Sequence, residues 1–302
     1  MKRIKYLVIS AAVLWGCSTD SFEQPGYYST DASSPLGKAI VEASAGYVAH
    51  IQEESEVKLS RGATLLKMAY TNMDGHAMRL FLFKAVLGPV SVRMTLPGDT
   101  DATGSLQKLS EQASAIENHS VWTVYGAVSG GAFSSSGQPS GILYHNGKSL
   151  GKDSAEDLPF FAVLADGQAV CGEGTGFAEI SYKVSEAVSG GPMLLQGGYV
   201  LAQANVTADA RAAVGVGSDG NEVYLMVVDG GDFFYSNGIT CSDMALLMKG
   251  CGATEAMVLD SGSPVTAIWR NERRIELFEL LNKPSDRGVE AEICDGIAIV
   301  QR

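Results

Sequence analysis

Arg211-Ala212-Ala213-Val214-Gly215-Val216-Gly217-Ser218-Asp219-Gly220-Asn221-Glu222-Val223-Tyr224-Leu225-Met226-Val227-Val228-Asp229-Gly230 is two short apolar runs around a strong turn signal. Ala212 to Val216 and Val223 to Val228 are of strand length, and Ser218-Asp219-Gly220-Asn221 between them supplies the turn chemistry. The same rhythm continues upstream. Trp122 to Val128 runs into Ser129-Gly130-Gly131-Ala132-Phe133, and Gly141 to Lys148 reads as a strand and its turn. Phe160 to Ala165, Ala178 to Val184 and Met193 to Leu195 are further strand candidates. Nearer the start, Thr64 to Tyr70 and Ala77 to Phe83 flank Asn72-Met73-Asp74-Gly75 as a hairpin, and Val90 to Leu96 alternates.

Helical signals are fewer. A short helix fits within Leu36 to Glu54, and Leu106 to Glu117 carries apolar residues near helical spacing. Asp243 to Cys251 places Met244, Leu247 and Met248 on one face and ends at Gly250 and Gly252. After it, Ala256-Met257-Val258-Leu259 is a buried strand that delivers Asp260. The expected fold is α+β: one domain over residues 37–302, a mixed β-sheet core with flanking helices and a smaller N-terminal lobe.

The 35 glycines favour strands joined by tight turns over a helical bundle, and a hydrophobic content of 46% supports a sizeable core. The formal net charge of −12 repels nucleic acid and anionic lipid surfaces, and no Lys/Arg block overrides it, which excludes nucleic-acid binding. The same field repels an anionic substrate. A phosphate site therefore has to be a local pocket built from a specific Arg or from backbone N–H groups.

Met1-Lys2-Arg3-Ile4-Lys5 is basic, and Tyr6 to Trp15 is apolar but too short to span a bilayer, the layout of a secretory signal. Leu14-Trp15-Gly16-Cys17 resembles a bacterial lipobox, which makes Cys17 the lipidated mature N-terminus and residues 18–36 a flexible polar tether. The protein is then exported and lipid-anchored in the bacterial cell envelope, at the outer membrane on its periplasmic side or at the cell surface. Cys171, Cys241, Cys251 and Cys294 remain; they can pair in several ways or stay buried as thiols. They show no CxxC spacing and no His at ligand distance, so a structural zinc site is not expected.

Arg211, Asp229 and Asp260 each terminate an apolar run that needs no polar residue. A carboxylate at the end of a buried strand commonly points into a cleft. Asp229, Asp232 and Asp260 could share a divalent cation with a phosphate substrate; this reading is not favoured, and no cofactor is expected. His145, beside Asn146-Gly147, reads as a turn-flanking surface residue. Trp122, Trp269 and Tyr27-Tyr28 read as core or tether. The chain has no Gly-x-Ser-x-Gly elbow and no phosphate-binding loop with a Lys, so serine-hydrolase and nucleotide-triphosphatase readings lack their motifs.

Several of these segments, taken in order, resemble one family. They are Arg211 to Val216, Val227-Val228-Asp229-Gly230, Ser236-Asn237-Gly238-Ile239-Thr240, the helix ending at Leu247-Met248, and Ala256 to Asp260. Upstream, Ser129-Gly130-Gly131-Ala132-Phe133 with Pro139-Ser140-Gly141, and Ser189-Gly190-Gly191-Pro192-Met193-Leu194-Leu195, fit the same pattern. The chain is identified on these motifs as similar to the phosphodiester glycosidases, over roughly residues 55 to 270. That family includes the mammalian enzyme that uncovers mannose 6-phosphate.

The resemblance implies a hydrolase that cleaves sugar-1-phosphodiesters at the anomeric carbon. Asp229, Asp260 and Arg211 are then the catalytic residues, with Arg211 offering its planar fork to the phosphate. Ser129, Gly190, Gly191, Ser236 and Thr240 are candidate substrate contacts, although Ser236 and Thr240 read equally well as turn and helix-cap residues. The chain departs from the family at Ser129, usually Asn, and at Ser261-Gly262-Ser263-Pro264, usually a Gly-rich run. The rival readings are an impaired, glycan- or cell-wall-binding member that uses the same pocket, and a structural envelope lipoprotein.

Overall fold

The computed structural model describes residues 31–302 apart from 152–157, 273–276 and 285–286. The lipobox with Cys17 and most of the tether lie outside the described residues. The last residues read as tether are folded. Ser33 and Ser34 donate backbone N–H groups to the Glu54 carboxylate at 2.6 and 3.0 Å, and Ser34 caps the first helix, α1 (Pro35–Ala43).

The large sheet has eight strands in the order Val48–Lys58, Ala63–Asn72, Ala77–Val86, Glu222–Val228, Arg211–Val216, Glu255–Ser261, Met193–Gln196 and Tyr199–Val200. The central sheet runs Phe278–Leu280, Ala267–Arg270, Thr123–Ser129, Gly296–Gln301, Ser91–Thr95. A lateral sheet runs Ala169–Gly172, Phe160–Leu164, Val184–Ser189, Leu143–His145, Lys148–Ser149. The α+β class holds in its coarse form, a mostly β chain with a few helices. The expected mixed sheet is corrected: every ladder between these strands is antiparallel. There is also no separate N-terminal lobe, because Ala77–Val86 pairs along its length with Glu222–Val228 and carries the first hairpin into the large sheet.

The alternation of each strand explains the layers. In Glu222–Val228, Val223, Leu225 and Val227 face a core shared with the two smaller sheets, while Tyr224, Met226 and Val228 face the opposite side. That second side is covered by α1 and by α3 (Cys241–Cys251), which packs Met244, Leu247 and Met248 inward as the periodicity predicts. The central sheet is covered on its outer face by α2 (Leu109–His119) through Leu109, Ala113 and Ile116. Segment 178–184 is not the expected strand. It forms 3₁₀ turns before Val184–Ser189, because the buried Phe177 just before it, the partly buried Ile180 and the buried Val184 recur at helical rather than alternate spacing.

His145 is the other correction, since it is fully buried. Its Nδ1 donates to Glu186 at 3.0 Å and its Nε2 accepts from Arg93 at 3.0 Å, and Arg93 also pairs with Asp99 at 3.0 Å. The cluster joins the lateral sheet to the central one and pairs charges that would be costly alone, although Arg93 Nε and Nη1 make no hydrogen bond among the described residues. The four cysteines are free thiols, three of them buried.

The contact between the large and central sheets is close at Gly126, where an added Cβ would stand 2.3 Å from Phe83 Cε1. Gly126→Ala should cost about 1–3 kcal/mol by overpacking, measured as a fall in urea midpoint at constant slope. An unchanged midpoint would show that the two sheets separate more easily than this packing implies.

Candidate active site

Four strand ends form one row across the large sheet, because Leu80 pairs with Val228, Val228 with Arg211, and Arg211 with Ser261. Arg79, Asp229, Arg211 and Asp260 therefore share one end of the sheet, and standard strand spacing separates the Asp229 and Asp260 backbones by roughly 10 Å. Between the pairs Arg211–Ser261 and Ala213–Val258 the strand Glu255–Ser261 carries one extra residue. This bulge re-aims Asp260 relative to a regular ladder.

Arg211 and Asp260 line one cavity of about 440 Å³, with Gly190, Gly191, Asn205 and Ser140 in its walls. Arg211 is only 3% exposed. Its Nε donates to the Ile239 carbonyl and its Nη2 to the Thr207 carbonyl, both at 2.8 Å. Two of the five guanidinium N–H groups are thus structural, and among the described residues those of Nη1 and the second one on Nη2 are left for a ligand. Asp260 is half-buried and accepts from the Ser261 N–H at 2.7 Å. Burial, opposed by that bond and reinforced by the charge of Asp295, pushes its pKa up to about 6.

Asp295 is the functional neighbour that the motifs missed. It is buried, accepts from the Gly131 N–H at 2.9 Å and from the Cys294 thiol at 2.8 Å, and burial raises it to about 6 as well. A Cβ on Gly130 would lie 1.8 Å from Asp295 Oδ1, and one on Gly131 would lie 2.3 Å from the Ser189 carbonyl oxygen. The Gly130-Gly131 pair is required by these approaches. A signal was available in the sequence, since Asp295 precedes the apolar run Gly296 to Val300 as the other aspartates end theirs.

The remaining candidates are placed differently from the expectation. Asp229 does not line this cavity: it is buried beside it, accepting from Asn282 Nδ2 and the Lys283 N–H, each at 2.9 Å, and burial lifts it to about 6. The Ser129 hydroxyl accepts from the Thr266 N–H at 3.2 Å. Ser236 bridges the Arg79 N–H and the Asp229 carbonyl, and Thr240 caps α3 by accepting from the Asp243 N–H. Gly190 and Gly191 line the cavity, yet their N–H groups are spent on the Pro159 and Val258 carbonyls at 3.0 and 2.8 Å. Asp232 pairs with Lys283 at 2.7 Å, and Asp229, Asp232 and Asp260 do not converge on a shared cation position.

A sequence profile described as phosphodiester glycosidase matches residues 123–300. Among solved structures, the chain is similar to the zebrafish N-acetylglucosamine-1-phosphodiester alpha-N-acetylglucosaminidase catalytic domain, auto-inhibited by its pro-peptide. That likeness has a TM-score of 0.62 and 18% identity, covering 83% of this chain and 88% of that one. A hypothetical protein from Synechocystis follows at a TM-score of 0.55, 12% identity, and 83% and 64% coverage. A protein from Burkholderia pseudomallei gives 0.53, 12%, and 74% of each chain. These likenesses are of fold. A search of curated protein sequences gave no match.

Asp229, Asp260 and Asp295 all hold protons more tightly than the ordinary value of 3.8. A carboxyl raised on folding stabilises the folded state at low pH, and that contribution is lost as pH climbs through about 6. Melting by calorimetry should therefore occur several degrees higher at pH 5 than at pH 8, each site contributing on the order of 1 kcal/mol. Asp295→Asn should shrink the difference. A melting temperature that rises toward pH 8 would contradict the burial of these groups.

Proposed function

The chain belongs to the phosphodiester glycosidase family, and from that premise we propose that it is a hydrolase cleaving sugar-1-phosphodiesters at the anomeric carbon, N-acetylglucosamine-1-phosphodiesters among them. The observation that carries this reading is the pairing, in one cavity, of a buried arginine with an unpartnered nitrogen and a half-buried carboxylate. In a molecule of net charge −12, a phosphate needs such a local cation.

In this mechanism a water oxygen bonds to the anomeric carbon while the bond from that carbon to the phosphate oxygen breaks, its electron pair leaving with the phosphate. The products are a free sugar and a phosphate monoester. The leaving phosphate is already stable as an anion, so little leaving-group protonation is required. Arg211 Nη1 neutralises charge on the departing phosphate. Asp260, ionised above about pH 6, faces the positive charge developing at the anomeric carbon and takes up the proton of the water. Asp295 acts through its charge on Asp260, and Asp229 supports the sheet end from behind.

One observation favours a second reading, a glycan-binding member with little catalysis. The N–H groups of Gly190, Gly191 and Gly262 all donate to backbone carbonyls, and Pro264 has none, so few backbone donors remain for a phosphate. Hydrolysis separates the two readings. We also propose that Cys17 carries a lipid that anchors the exported protein in the cell envelope, at the outer membrane or cell surface. Labelled fatty acid should appear on the full-length chain and vanish with Cys17→Ser; equal labelling of both would refute the anchor.

The domain from Ser18 should release free sugar from an N-acetylglucosamine-phospho-sugar diester. Arg211→Ala and Asp260→Asn should each lower kcat/KM at least about 100-fold, with Asp229→Asn affected far less. The wild-type profile should fall below about pH 6, as Asp260 takes up its proton. A folded wild-type domain that hydrolyses no sugar phosphodiester but still binds one would transfer the assignment to the second reading.

A further inference from the structure

A second cavity of about 370 Å³ opens on the face of the strands Val48–Lys58, Ala63–Asn72 and Ala77–Val86, beside Tyr235 and Leu281. Two cations stand in its wall. Lys67 pairs in register with Phe81, and Arg79 with Ala69, so Lys67 and Arg79 are diagonal neighbours on one face, about 7 Å apart along the backbone. Among the described residues neither makes an ion pair with a carboxylate. Arg79 Nη1 is buried without a hydrogen-bond partner. A buried guanidinium nitrogen left unpaired is costly, and Arg79 carries it in the wall of the cavity beside a second cation.

The aromatic and polar groups around the cations restrict the chemistry. The Arg79 guanidinium lies 5.3 Å from the Tyr235 ring centre, and Lys67 Nζ lies 3.9 Å from that of Trp269. The Tyr235 hydroxyl sits between Arg79 and Asp229, its pKa pushed up to about 12 by burial and then by the Asp229 charge. Just before Tyr235, Phe233 and Phe234 project 61% and 91% exposed. Of the aromatic residues in this stretch it is Tyr235 that lines the cavity and offers a ring face to a sugar. Glu53 and Ser55 on the edge strand can accept from hydroxyl groups, whereas Glu54 is held by Ser33 and Ser34.

We propose that this cavity is a second binding site, separate from the Arg211 and Asp260 pocket, for a sugar bearing a carboxylate or phosphate. The anionic group pairs with Arg79 and Lys67, the ring lies against Tyr235, and the hydroxyls meet Glu53 and Ser55. The site stands on its own residues and does not depend on the proposed hydrolysis.

Titration calorimetry of the full chain with glucuronic acid, glucose 6-phosphate and glucose tests it, and the first two probes separate the carboxylate from the phosphate source. At least one anionic sugar should bind on the order of 10-fold more tightly than glucose, with Arg79→Met and Lys67→Met each removing most of that preference. Arg211→Ala should retain it. Lys67 is only half-buried, so its variant gives an answer even where Arg79→Met is less stable. Equal binding of all three sugars, no binding of any, or a preference lost with Arg211→Ala but kept in the other two variants would each overturn the site.

Discussion

The strand Arg211–Val216 is hydrogen-bonded along both edges and buried at every residue, and the arrangement of charged groups depends on that ladder. A slip by one residue would exchange its two apolar faces, so its register is strongly held. One neighbour continues in regular register to Val228 and delivers Asp229 into a nest of hydrogen bonds. The other neighbour carries an extra residue and delivers Asp260 into a cavity. Two aspartates at the same end of the same sheet thus acquire different surroundings from a one-residue difference in pairing.

The electrostatics follow from this division. Burial disfavours ionisation of Asp229, Asp260 and Asp295 alike, but their compensation differs. Asp229 accepts from Asn282, Lys283 and the Tyr235 hydroxyl, and Asp295 from Gly131 and the adjacent Cys294, whereas Asp260 accepts one, from the residue that follows it. Asp260 is therefore the carboxylate with free accepting capacity, and it is the one that meets the open space. Arg211 complements it: the protein spends two of its nitrogens on carbonyls to fix the guanidinium and leaves the third.

Much of the fold was legible because most strands are short apolar runs bounded by Gly, Asn and Asp. The hairpin around Asn72 to Gly75, the turn at Ser218 to Asn221 and the helix α3 all read directly. Pairing direction was not legible, since a run of Val, Leu and Met looks the same in a parallel or an antiparallel sheet. His145 was misread because a His before Asn-Gly has the local look of a surface turn, while its partners Arg93, Asp99 and Glu186 are distant in sequence. At the site, Arg211 and Asp260 stood out as polar ends of buried strands. Asp229 stood out by the same logic, and the structure places it in hydrogen bonds with Asn282 and Lys283 outside the Arg211 and Asp260 cavity, because a strand end specifies where a side chain starts and not what closes over it. Gly190 and Gly191 were candidate substrate contacts, and only the fold reveals that their N–H donors are already committed.

The strand Gly296–Gln301 lies between Thr123–Ser129 and Ser91–Thr95, and the residue before it is Asp295. A nascent chain that has not yet emerged as far as residue 296 lacks the middle of its central sheet, so partners separated by more than 160 residues must wait for this strand before they can close. Closure of the central sheet is thereby coupled to the emergence of residues 296–301. The same segment follows directly on the carboxylate whose charge acts on Asp260, so the sheet that completes the core and the group that tunes the pocket arrive together.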